Sequence, residues 1–196
     1  MNLTDMRTRI RQDLQDTDAA NYRWTDEEVD GAIERAVGEF SFRYPLQQQE
    51  DIATTDGSNE IDISSLLKLL KVYSVEFPIG VKPPYYQHFT VWQSIIHMGD
   101  ESNGEDARIR WGKLHTLDAE SSTIPEQFDE IIVLGATGYL ATSASAYTVD
   151  RATIAGRYAT TDFLKWGQDR LERYERRLRA IALDNRIVSK ELYTND

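Results

Sequence analysis

Cysteine is absent from the 196-residue sequence, which excludes a disulfide framework and any thiolate chemistry. Histidine occurs three times, at His88, His97 and His115, and no two stand at the i, i+4 spacing that places a metal-binding pair on one helix face. No apolar run is long enough to span a bilayer. The nearest, residues 131–147, follows Asp129 and Glu130 and is broken by Gly, Ser and Thr. The opening MNLTDMRTRI has no apolar segment of the signal-peptide kind, so no membrane partner is expected and a reducing cytoplasm suits the composition. Basic charge is also scarce. Against 33 Asp and Glu stand 22 Lys and Arg, a formal net charge of −11. A groove that grips phosphates needs the opposite sign, which argues against sequence-specific nucleic-acid binding.

Apolar residues make up 40% of the chain, and six Phe, ten Tyr and four Trp supply bulk, enough for one medium domain or one domain with an insertion. The acidity is uneven. From Asp162 onward there are 8 basic and 7 acidic residues, and before it 14 and 26, so the body carries −12 and the tail +1. A locally balanced tail on an acidic body points to a C-terminal docking element with its own partner.

Periodicity divides the chain. Leu3, Met6, Ile10 and Leu14 recur at helical spacing, with Asn2 or Thr4 available as the cap and turn formers from Asp16 to Asn21. A second stripe, Val29, Ile33, Val37 and Phe40, ends before Pro45. Residues 46–120 read as strands: a hairpin around the DGSN turn, a short helical turn over Leu66–Leu70, and alternation at Tyr73, Val75 and Phe77, at Phe89 and Val91, and at Ile109 and Trp111. From Pro125 the helical period returns, with Ser122 or Thr123 as its cap. There Gly135, Gly138, Ala141, Ser143, Ala144, Ser145 and Ala146 keep one side thin. Such a side suits close packing by another element, within the chain or between subunits. A last helix is expected after Thr161, its seam at Leu164, Leu171, Tyr174, Leu178 and Ile181, flanked by Arg170, Arg173, Arg176, Arg177 and Arg179. The fold class is therefore α+β, mainly α. Residues 1–45 and 121–182 form a helical bundle, 46–120 a small antiparallel sheet inserted between helices 2 and 3, and 183–196 a tail carrying Arg186, Ile187, Val188, Leu192 and Tyr193.

Tests for chemistry come back empty. The acidic loops at Asp56 and Asp100 fail the calcium-loop register, because position 12 would be Leu67 or Trp111 rather than Glu. There is no G-x-S-x-G, no P-loop and no G-x-G-x-x-G, so no cofactor is implied. The densest acidic cluster lies in NYRWTDEEVD, residues 21–30. Here Thr25 and Glu28 have the spacing of a capping box, Trp24 and Val29 occupy the positions of a hydrophobic staple, and Asp26 and Glu27 face the positive end of the helix dipole. Each residue has a structural role without a catalytic site.

LTDMRTRIRQDLQDTDAANYRWTDEEVD (3–30), IPEQFDEIIVLGATGYL (124–140) and DFLKWGQDRLERYERRLRAI (162–181) resemble the head–tail connector, or adaptor, proteins of tailed bacteriophages. The resemblance implies a structural virion protein and not an enzyme. Such adaptors form a homo-oligomeric ring, commonly of about twelve subunits, beneath the portal in the virion neck after assembly in the host cytoplasm. The ring extends the DNA channel, through which DNA passes without sequence-specific binding, and presents a surface to the next neck or tail protein. By resemblance, Arg170, Arg173, Arg176, Arg177, Arg179, Arg186, Ile187, Val188, Leu192 and Tyr193 dock onto the portal. On a bare helix face the same arginines would make local pairs such as Glu172–Arg176 and Glu175–Arg179. The alternatives are another neck component (a stopper or tail-completion protein), a metal-dependent virion hydrolase built on His88, His97 or His115, and an acidic DNA-mimicking module.

Overall fold

The structure is a computed structural model that describes residues 1–148 and 157–191. The chain divides into two compact units, one formed by residues 1–44 and 115–196, the other by residues 45–114.

The first unit is helical. Helix α1 (Leu3–Asp13) starts where the Asn2 side chain accepts the Asp5 N–H, and Met6 and Ile10 face inward. Helix α2 (Asp26–Arg43) starts on a complete capping box: Thr25 N–H donates to Glu28 Oε2 at 2.8 Å, and Glu28 N–H to Thr25 Oγ1 at 3.2 Å. It ends at Tyr44, before Pro45. A 3-10 turn (Glu126–Phe128) leads into α3 (Asp129–Thr148), and α4 runs over Arg157–Glu191. The core draws on all four helices through Met6, Ile10, Val29, Ile33, Phe40, Ile132, Val133, Ala136, Tyr174 and Leu178.

Two helix starts differ from expectation. Neither Ser122 nor Thr123 caps the entry to α3. Ser122 Oγ accepts the Ile124 N–H at 3.1 Å, and Thr123 Oγ1 accepts the Thr116 N–H at 2.8 Å, so both hydroxyls serve the loop. Thr161 lies inside α4, which begins one turn earlier at Arg157. Helical geometry therefore extends upstream of the Thr-Asp pair that imitates a start.

The second unit holds two antiparallel three-stranded sheets where one was expected. The first has the order β1 (Leu46–Ala53), β6 (Asp106–Lys113), β3 (Leu69–Glu76). The second has the order β2 (Glu60–Asp62), β5 (Ile95–Met98), β4 (Phe89–Trp92). The expected hairpin around DGSN does not form, because its arms belong to different sheets. A second loop holds that turn instead: Gly57 N–H donates to Ser102 O at 2.8 Å and Ser102 N–H to Ser58 O at 2.9 Å. The expected turn over Leu66–Leu70 sits earlier, and Leu69 and Leu70 already belong to β3. Ile61, Ile63, Val75, Ile96, Ala107 and Ile109 are the buried centre of this unit.

Candidate functional site

Two of the four carboxylates of NYRWTDEEVD, Asp26 and Asp30, are engaged by α1. Arg7 and Arg11 stand one turn apart on one helix, and Asp26 and Asp30 one turn apart on the other. Arg7 places its Nε and Nη2 on the two Asp30 oxygens. Arg11, 6% exposed, donates Nη2 to Asp26 Oδ1 at 2.7 Å and to the Trp24 carbonyl at 3.0 Å, and Nη1 to Asp16 Oδ2 at 2.7 Å. Its guanidinium also stacks 3.6 Å from the centre of the Tyr22 ring. Asp16 in turn accepts the Arg23 N–H at 2.8 Å. The hydrogen bond that Arg11 donates holds Asp26 below the usual carboxylate range, and the bonds that Arg7 donates to Asp30 raise Arg7. These charges are neutralised within the protein and form a joint between helices. Trp24 and Val29 are both buried, and the Trp24 ring stacks on Phe163 of α4, with ring centres 6.2 Å apart.

The thin side of α3 is filled by α4 at Gly135, Gly138 and Ala141, while the side chains of Ala144, Ser145 and Ala146 fall outside the described residues. A Cβ built on Gly135 would lie 2.9 Å from the Tyr174 ring, and one on Gly138 2.8 Å from Leu171. From the α4 side, a Cβ on Gly167 would lie 2.8 Å from Ala141 Cβ. The close approach anticipated at these small residues is thus made within the chain. Tyr174 is fully buried and donates to the Ala36 carbonyl at 2.6 Å, and burial raises its phenol, keeping it a donor.

The arginines of α4 divide into groups. Arg170 turns inward: Nε donates to Thr137 Oγ1 at 2.7 Å and Nη2 to Asp13 Oδ2 at 2.6 Å, and the head lies over Trp166. It ties α4 to α3 and α1 and has no free fork to offer a partner. Arg173 pairs with Asp169 at 2.7 Å and Arg179 with Glu175 at 3.1 Å, both one turn away. The anticipated Glu172–Arg176 pair does not form. Arg176 and Arg177 are exposed and make no ion pair among the described residues. Core packing continues as far as Ile181, Leu183 is 60% exposed, and the helix runs on to Glu191. Arg186, Ile187 and Val188 lie on this last stretch, but their side chains fall outside the described residues, as do Leu192 and Tyr193 altogether.

The histidines hold no common centre. His88 is exposed, and His97 Nδ1 lies 3.4 Å from Glu60. His115 is buried, with Nε2 3.0 Å from the Tyr44 carbonyl and Nδ1 2.9 Å from that of Thr123. Among the described residues no group of three His, Cys, Asp or Glu could hold a metal ion, so a metal hydrolase has no donor set there. No helix among them is long and apolar enough to cross a membrane.

The joint between α1 and α2 and the entry to α3 lie within one family match. The family model described as SU10 adaptor protein matches residues 1–159. The chain belongs to the SU10 adaptor protein family. It is a structural protein of the phage neck, of an adaptor kind that is not enzymatic. The match ends before most of α4. Curated proteins gave no match to the chain.

Sequence reasoning missed Arg11. It lies next to the core residue Ile10 and reads as an ordinary solvated arginine. The usable signal was the matched spacing of two arginines four apart and two aspartates four apart on consecutive helices.

Proposed function

We propose that this adaptor assembles into a homo-oligomeric ring beneath the portal, extends the DNA channel and offers its opposite side to the next neck or tail protein. Membership of the adaptor family over residues 1–159 carries this reading. The ring numbers about twelve subunits, as closed cyclic assemblies of such connectors do, and it is loaded in the host cytoplasm before the virion is complete. At −11 per subunit, an acidic wall would repel passing DNA and let it slide without sequence-specific contact.

Docking to the portal falls to the end of α4 and the stretch 183–196. What supports this is the helix running on past Ile181, with Arg176 and Arg177 exposed and free of ion pairs among the described residues. Arg186, Ile187, Val188, Leu192 and Tyr193 complete the docking set. Arg170 leaves it, because its fork is occupied inside the bundle.

Removal of residues 182–196 tests the assignment, since it begins beyond the last core-packed side chain among the described residues. The truncated chain should keep its helical circular dichroism and lose co-sedimentation with purified portal rings. Arg176→Glu with Arg177→Glu should weaken that binding without changing the fold. Undiminished portal binding by the truncated chain would remove the docking role from this end.

A further inference from the structure

Bare apolar surface is concentrated in the second unit. Of the eight large hydrophobic side chains exposed among the described residues, five lie there: Leu67, Val81, Tyr85, Val91 and Trp92. They fall at its two ends. Ile63 N–H donates to Ser94 O and Leu114 N–H to Lys68 O, which gathers Leu67 and the turn after Trp92 at the end where Leu46 pairs with Lys113. Gln87 Nε2 donates to Asp100 Oδ2 at 3.0 Å, and Gly99 N–H to His88 O at 2.9 Å. These bonds tie the loop bearing Val81 and Tyr85 to the opposite end, where Ala53 pairs with Asp106. Leu67 is 77% and Trp92 70% exposed, and large side chains of this kind anchor protein contacts once a partner covers them.

The two ends carry opposite charge. At the first, residues 63–71, 92–94 and 111–114 hold Lys68, Lys71 and Lys113 and no carboxylate. Asp62, which borders this end, accepts the Ser64 N–H at 2.8 Å. At the second, residues 53–60 and 99–106 hold Asp56, Glu60, Asp100, Glu101, Glu105 and Asp106 and no Lys or Arg. The adjoining loop over 77–87 adds one charge, Lys82. Among the described residues the three lysines make no ion pair, and of the six carboxylates only Glu60 does, 3.4 Å from His97.

A two-fold contact through these ends would set lysines on lysines or carboxylates on carboxylates. A head-to-tail contact sets lysines on carboxylates, and it joins two different faces, the kind of contact that closes into a ring. We propose that the lysine end of the inserted unit, anchored by Leu67 and Trp92, docks on the acidic end of the inserted unit of a second copy, around Val81 and Tyr85. The inference rests on the ring reading and names a surface through which neighbouring subunits meet.

Carbodiimide crosslinking tests it, because the reagent joins a lysine directly to a carboxylate. Equal amounts of heavy-nitrogen-labelled and unlabelled chain, loaded together on purified portal rings, should give mixed-isotope peptides linking Lys68 or Lys71 of one chain to Glu101 or Glu105 of another. Lys68→Glu should raise the concentration needed to fill the rings about fivefold. Lys82→Glu makes the same change of charge at the acidic end and should not raise it. Filled rings without these inter-chain links, no rise from Lys68→Glu, or an equal rise from Lys82→Glu would overturn the contact and leave the ring reading standing. Failure of the wild-type chain to load on the portal would remove the ring reading itself, and this contact with it.

Discussion

Arg11 of α1 and Asp26 of α2 meet at 2.7 Å, and the same guanidinium reaches Asp16 at 2.7 Å and the Trp24 carbonyl at 3.0 Å. One buried side chain thus fixes both the end of α1 and the start of α2. Removing one partner of a buried ion pair leaves the other charge without compensation, a loss of about 3–5 kcal/mol. Arg11→Ala should destabilise the helical unit by about that amount in urea unfolding. Arg11→Lys should recover only part, because an ammonium lacks the planar fork that reaches three acceptors. A loss under about 1 kcal/mol for Arg11→Ala would show that the network is incidental.

The capping box beside it is a smaller and more exposed device. Both of its hydrogen bonds lie at the surface, so Thr25→Ala should lower stability by about 1 kcal/mol, and Thr25→Ser, which keeps the acceptor, by little. The two predictions together rank the joint: the buried arginine first, the cap second.

That ranking marks the limit of what the residues alone could reveal. The Thr25–Glu28 box, the Asn2 cap and the stop before Pro45 are written in neighbouring residues, and each forms in the structure. The strand partners are not local. Leu46 meets Lys113 and Ile52 meets Ala107, so a hairpin read from the nearby DGSN turn paired the wrong segments and merged two sheets into one. Thr161 misled for the opposite reason. A local start signal was passed over, and helical backbone runs through it from Arg157. Arg170 looked like its arginine neighbours along α4, and only the approach of Asp13, 157 residues away in sequence, turns it inward.

Glycine substitutions should separate helix propensity from packing. A Cβ on Gly31 or Gly38 of α2 meets nothing within 4 Å, so alanine there should stabilise by about 0.5–1 kcal/mol. Alanine at Gly135 or Gly138 gains the same propensity but drives a methyl into Tyr174 or Leu171, and overpacking costs about 1–3 kcal/mol. Tyr174 cannot easily yield, since its hydroxyl is tied to the Ala36 carbonyl. Thermal unfolding should therefore move in opposite directions for the two pairs. A shared direction would contradict the close fit of α3 on α4.

Acid should expose His115. Burial lowers its proton affinity below the ordinary value near 6.5, although the Tyr44 and Thr123 carbonyls partly favour the charged ring. The folded value thus lies below the unfolded one, so the unfolded chain binds the extra proton first as pH falls. The His115 contribution is whole above about pH 6.5 and is lost as pH drops through the lowered folded value. Asp26 and Asp51, held below 3.8 by Arg11 and Arg108, lose theirs only under stronger acid, so the two phases separate. Urea unfolding at pH 7.5 and 5.0 should show the wild type losing stability between them, and His115→Gln losing less, since an amide keeps a hydrogen bond without titrating. Equal losses in both proteins would assign the acid sensitivity to another group.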